Sequence, residues 1–260
     1  MRALYTAATG MGAFQSKIDN IANNLANSNT TGFKKVREGF EDLVYQHMGQ
    51  LAGEEGASPT NPMSLGTGVR LSYLSRNMAV GDTIATTSPT DMMIAGDGFF
   101  VVESPSGEQM YTRDGHFRTD ADGNLVTERG YRVSPGIQIP DGGTLQVGPD
   151  GSLGAEILTD AGSEIVSLGT LQLARFSNPE GLESTGGNLY RATTASGEAQ
   201  QTTPGEDGSG EVVQFALEGS NVDVAEELVN MITAQRSYDL SSKAIQAADE
   251  MMQTAVNLRR

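Results

Sequence analysis

Two apolar stripes, one at each end of the chain, constrain the fold more than anything between them. Leu4, Ala7, Met11, Phe14, Ile18, Ile21 and Leu25 recur at alternating intervals of three and four. That is the seam of a helix that packs against another helix. It predicts a helix from near Arg2 to around Asn27, roughly 40 Å long at 1.5 Å per residue. Gly10 and Gly12 each weaken it by about 1 kcal/mol relative to Ala, and the Asn-rich tail beyond Ile21 is a poor helix former. Such a helix is marginal alone, and the neighbouring sequence offers it no obvious partner. The partner lies at the other end, where Val224, Leu228, Met231, Tyr238, Ile245, Met252 and Val256 repeat by sevens or by threes and fours. Asn221-Val-Asp223 offers a helix start, with Asp223, Glu226 and Glu227 at the positive end of the dipole. This second helix is expected to run almost to Arg259-Arg260, about 55 Å, with Gln235, Ser242 and Asp249 at the intervening seam positions, so that part of the seam faces water or polar neighbours.

Between the stripes the period changes. Phe33, Val36, Phe40, Leu43, Val44 and Met48 have helix-like spacing that equally admits a strand. Gly49 to Gly68 is rich in Gly, Pro and Ser with no stable period, and reads as a long loop or extended arm. From Val69 onward, short apolar runs are broken by Asp97-Gly98, Asp114-Gly115, Asp122-Gly123, Asp141-Gly142 and Asp150-Gly151, the dipeptide of tight hairpin turns. Strands are expected at Phe99–Val102, Met110–Thr112, His116–Thr119, Leu125–Thr127 and Tyr131–Val133. A second block follows at Thr144–Val147, Ser152–Leu158 and Ile165–Phe176, and then an irregular stretch over 177–210. The expected fold is mainly β with long terminal helices that pair as a coiled-coil-like inner domain. Its divisions are residues 1–32 and 221–260 for the helices, 33–70 for a connecting segment and arm, 71–140 with 177–220 for a β-rich domain, and 141–176 for an insertion-like β sub-domain.

The net charge of −16 is uneven. Residues 1–48 carry five Lys/Arg against four Asp/Glu, and residues 221–260 four against six, so the middle holds eight Arg against twenty-three acids. That balance argues against nucleic-acid binding through phosphate neutralisation. No run of about twenty apolar residues predicts membrane insertion. The N-terminus lacks the continuous apolar core of a cleavable signal peptide, so export, if it occurs, is expected by a route that does not use one. The chain has no Cys and two His, His47 and His116, in unrelated contexts. No metal or cofactor site is expected, and no phosphate loop, dinucleotide fingerprint or nucleophile elbow is found. Asp120-Ala-Asp122-Gly123-Asn124 has calcium-loop composition, but its Gly is at the fourth position instead of the sixth and Tyr131 stands where the bidentate Glu belongs. A hairpin turn is the better reading. No catalytic residue is expected.

Several long segments resemble the bacterial flagellar rod and hook protein family. They are Asn23-Asn-Leu-Ala-Asn-Ser-Asn-Thr-Thr-Gly-Phe-Lys34, Ile94-Ala-Gly-Asp-Gly-Phe-Phe-Val101, Tyr111-Thr-Arg-Asp-Gly-His-Phe117, Leu125-Val-Thr-Glu-Arg-Gly-Tyr131 and Ser220-Asn-Val-Asp-Val-Ala-Glu-Glu-Leu-Val-Asn-Met-Ile232, with Gln235-Arg-Ser-Tyr-Asp239 and Lys243-Ala-Ile-Gln246. The opening Arg2-Ala-Leu-Tyr-Thr-Ala-Ala-Thr-Gly10, the Asn178-Pro-Glu-Gly-Leu182 segment and the arm favour a distal rod subunit, with a proximal rod or hook-type member as the alternative. The resemblance implies helical polymerisation into a hollow drive shaft in the basal body, and the seam residues are then self-assembly positions. The implied partners are copies of the same chain, proximal rod proteins, hook protein, the surrounding L and P ring proteins, a rod cap and the type III export apparatus. A reading of another class, an acidic β-rich carbohydrate-binding protein with oligomerising helices, predicts clustered aromatics. The chain has no Trp and 6% aromatics.

Overall fold

The computed structural model describes residues 2–47, 64–159 and 162–257. The chain divides into two compact units. One comprises 1–26, 36–75 and 223–260, and the other 27–35 and 76–222, so the backbone passes between them four times.

The first unit holds both terminal helices, α1 (Arg2–Ala26) and α2 (Val224–Asn257). Asp223 caps α2 as its sequence position suggests: its Oδ1 accepts from the N–H groups of Ala225 (2.8 Å) and Glu226 (3.1 Å), filling orphan donors of the first turn. Among the described residues, no helix is long and apolar enough to cross a membrane. The segment that admitted helix or strand is a strand, Val36–Asp42, paired with Val69–Arg76. Gly39 weakens a helix there, and in the strand it leaves room for the Tyr73 ring that a Cβ would strike. Of the arm expected over 49–68, residues 49–63 lie outside the described residues. Its end, Ser64–Leu65, pairs with Gln46–His47.

The second unit is antiparallel β. Its main sheet has nine strands centred on Phe99–Glu103, which pairs with Gln109–Thr112, Arg132–Val133 and Leu173–Arg175. Alternation along this strand puts Phe100 and Val102 into one core cluster and Phe99 and Val101 into another, because successive side chains leave opposite faces. The second cluster is built from edge-to-face aromatics, with Tyr111 and Phe176 at 4.8 Å and Phe99 and Tyr190 at 5.9 Å between ring centroids. Thr144–Val147, Ser152–Thr159 and Gly162–Thr170 form a separate three-stranded sheet.

Two expectations are corrected here. Ile165–Phe176 is not one strand: Gly162–Thr170 ends in the three-stranded sheet and Leu173–Arg175 joins the main one. Leu171 is buried between them, so an unbroken apolar run conceals a change of sheet. The stretch 177–210 is less irregular than its composition suggests, with strands Glu183–Gly186, Leu189–Arg191 and Gln200–Thr202. The Asp120–Asn124 segment is a hairpin turn closed by Asp120 N–H to Asn124 O (2.9 Å) and Gly123 N–H to Asp120 O (2.9 Å).

Candidate functional site

The chemistry of this molecule lies in its helices and in two buried polar junctions. Asn24 of α1 hydrogen-bonds Glu227 of α2 (3.3 Å), and a Cβ on Gly10 would sit 3.7 Å from Ser241 Oγ. Both pairs are fourteen residues apart on each helix, in opposite senses, so α1 and α2 run antiparallel in register. Among the α2 positions turned away from solvent, Glu227, Met231, Ala234, Tyr238, Ser241, Ile245, Ala248 and Met252 are spaced by alternating fours and threes, and Asn230, Ser237 and Ser242 beside them are also half-buried.

Of the expected seam positions, Ile21 is buried, and Leu4, Met11, Phe14, Ile18, Leu25, Met231, Tyr238, Ile245 and Met252 are half-buried. Val224, Leu228 and Val256 are not brought to this face; they stand 43%, 44% and 65% exposed. Of the intervening polar positions, Ser242 is half-buried. Gln235 and Asp249 are exposed, and the seam is completed by Ala234, Ser241, Ala248 and Glu227. Small residues there let the backbones approach, a signal that a search for large apolar side chains passes over.

The Asn-rich tail of α1 has a specific job. Asn24 is buried, and its side-chain amide acts as a strand neighbour to Val36: Nδ2 donates to Val36 O (3.0 Å) and Oδ1 accepts from Val36 N–H (3.0 Å). Asn20 Nδ2 also donates to Val36 O (3.0 Å) and meets Glu38, which Lys17 approaches at 3.7 Å. The end of the helix therefore directs the start of the strand at Val36–Asp42.

The second junction, inside the β unit, is charged. Lys34 and Glu218 are fully buried and paired, Lys34 Nζ also donates to Ala79 O (2.7 Å), and Arg113 Nη1 reaches the other Glu218 oxygen at 3.4 Å. Glu218 also accepts from Gly81 N–H (3.0 Å). Burial pushes the Lys34 ammonium below its ordinary value against the pull of Glu218, and Arg113 adds to that depression. Burial likewise lowers Arg113, opposed by Glu218 and Asp97. Gly32, two residues before Lys34, has φ +66, and a Cβ there would lie 2.7 Å from Asp114 N. Only Gly fits that turn. Beside it Thr31 Oγ1 donates to Asp114 (2.9 Å), whose carboxyl burial raises above its ordinary value.

Three family models match the chain. Residues 4–34 match "Flagella basal body rod protein", 93–155 "Flagellar hook protein FlgE/F/G D1 domain", and 213–258 "Flagellar basal body rod FlgEFG protein C-terminal". The "Flagellar basal-body rod protein FlgG" of Borreliella burgdorferi is 42% identical over 100% of this chain and 99% of that protein. That of Bacillus subtilis is 38% identical over 100% of both. A "Flagellar basal-body rod protein FlgF" of Caulobacter vibrioides is 34% identical over 98% of this chain and 96% of that one. The chain belongs to the FlgG family of flagellar basal-body rod proteins.

FlgG family members are structural proteins, not enzymes, and the buried polar groups here read accordingly. The N-terminal match contains Asn24 and Lys34, and the C-terminal match contains Glu218 and Glu227. Each unit thus has one buried polar pair that ties the two matched ends together across about two hundred residues of sequence. Asn24, Lys34 and Glu227 fall in segments that resemble the family, but nothing local in those segments announced either pairing, and Glu218 simply ends an otherwise apolar strand.

Proposed function

We propose that this chain is the flagellar distal rod subunit, polymerising helically into a hollow shaft that transmits torque to the hook and passes exported proteins. One observation carries the mode of assembly. Of the twenty-one exposed large hydrophobic side chains among the described residues, fifteen lie in the helical unit. They include Val224, Leu228, Val229, Ile232, Leu240, Met251 and Val256 along α2, and Phe40, Leu71, Tyr73 and Leu74 on the two-stranded ribbon. Exposed apolar surface on this scale marks an interaction site, and neighbouring copies cover it in this reading. The antiparallel helices pair as a coiled-coil-like inner domain around the channel, comprising 1–32 and 221–260. The β-rich parts, 71–140 with 177–220 and the 141–176 insertion, face outward. Heterologous contacts that do not close give a filament. Proximal rod proteins, hook protein, the L and P rings, the rod cap and the type III export apparatus are the partners this function requires.

Hydrogen exchange on dilute monomer and on sedimented polymer tests the reading. Protection of α1 and α2 is expected to rise on polymerisation while the main sheet stays equally protected. A chain that stays monomeric at high concentration, with α1 and α2 already protected, would sink it.

A further inference from the structure

The antiparallel register leaves part of α2 with no α1 residue opposite it among the described residues. Asn24 lies against Glu227 and Gly10 against Ser241, which sets Arg2, the first residue of α1, level with about position 249. Beyond that point α2 continues to Asn257, some two turns or about 12 Å. This overhang is apolar on part of its surface, with Met251 and Val256 66% and 65% exposed, and acidic at Asp249 and Glu250. About two turns back along α2 lies an open, largely apolar groove lined by Ala7, Leu65, Gly66, Leu240, Ser241 and Ala244. Leu240, on its wall, is 66% exposed. Lys243, which precedes the lining residue Ala244 in sequence, is exposed and has no ion pair among the described residues.

We infer that the C-terminal overhang of α2 from one copy docks in this groove of the next copy. The inference rests on the polymer-forming reading and specifies one of its contacts. The overhang cannot enter the groove of its own chain, because both belong to one continuous helix and a helix does not double back without a break. The shapes are complementary in kind: an unpaired apolar helix end and an unfilled apolar groove, with Asp249 and Glu250 arriving beside Lys243. The two surfaces are unlike and sit at different heights on the same helix. Each docked copy therefore offers a fresh groove, and growth does not close.

The absence of Cys from the chain makes a disulfide test clean. In an Ala244→Cys/Met251→Cys double variant the two thiols are seven residues apart on one helix, about 10 Å and too far to bridge. Any disulfide is therefore between copies. Oxidised polymer is expected to run as a ladder of three or more chains on a non-reducing gel, while neither single-Cys variant yields dimers. Met251→Glu is expected to raise the critical concentration for polymerisation about tenfold, as loss of one buried side chain implies. Polymer that forms with no ladder would overturn the inference and leave the polymer reading standing; no polymer in any variant or in the parent chain would overturn both. An Ala244→Cys/Leu51→Cys variant that cross-links within dilute monomer would assign the groove to the chain's own 48–63 segment, and would also overturn the inference.

Discussion

The two units bury their apolar residues very differently. The β unit holds a continuous core of sixteen buried hydrophobic residues and a second, aromatic cluster. In the helical unit only Ile21, Ala234 and Ala248 are buried hydrophobics among the described residues, and two of these are alanines. Burial of large side chains at about 1.5–3 kcal/mol each makes the first self-sufficient. The second half-buries most of its seam and leaves fifteen large hydrophobic side chains exposed among the described residues. In the proposed polymer, stability and assembly are thus allotted to different parts of one polypeptide.

The sharpest way to break that contrast is to attack the β unit at its charged centre. Glu218→Gln leaves Lys34 buried without its counter-charge and Arg113 with only the charge of Asp97, and is expected to cost about 3–5 kcal/mol. A drop of about 10 °C in the Tm of the β unit follows. Lys34→Met keeps the Arg113–Glu218 pair and removes the desolvated ammonium, so calorimetry is expected to show a smaller loss. Equal losses from the two variants would mean that charge balance is not what holds this centre.

A smaller effect is expected in the helical unit. Asn24→Ala leaves the N–H and carbonyl of Val36 without their side-chain partner and removes the bond to Glu227. The expected cost is about 2 kcal/mol, read as faster hydrogen exchange in α1 and at Val36, with the Tm of the β unit unchanged. Loss of protection in the main sheet as well would show that the units do not divide stability as the burial suggests.

The smallest effect concerns pH. Burial holds the Asp114 carboxyl above its ordinary 3.8, outweighing the bonds from Thr31 and His116. Between that ordinary value and the raised one, the folded chain keeps a proton that the unfolded chain has lost. The resulting stability is full below the ordinary value and disappears as pH rises through the raised one. Asp114→Asn keeps an acceptor for Thr31 but does not titrate. The Tm of the parent chain is therefore expected to fall relative to this variant as pH climbs from about 3 to about 7. A constant difference across that range would remove Asp114 from the account.

Much of this was readable from residues whose structural effect is local. The Asp223 cap, the hairpin at Asp120–Asn124 and the strand at Phe99–Val102 follow from side-chain type and turn chemistry alone. The segment from Phe33 to Met48 did not resolve, because its apolar spacing fits two structures and the deciding contact, the Asn24 amide on Val36, comes from the preceding helix. The switch of sheets near Leu171 was hidden for a related reason, since buried strands on two sheets read as one apolar run. The seam of α2 was half found. Its large residues announce themselves by period, whereas Ala234, Ser241 and Ala248 act through their smallness. The pairing of Lys34 with Glu218 was invisible to any local pattern, because the meaning of each depends on a partner 184 residues away.

The four passages of backbone between the units have a mechanical consequence. A twisting load applied to one unit reaches the other through four covalent strands in parallel. Each carries a fraction of the force, and no single linker acts as a fuse. Two of those strands bracket the short segment 27–35, where Gly32 and Lys34 are anchored in the β unit. A subunit wired in this way has no single covalent link whose failure would separate its two units.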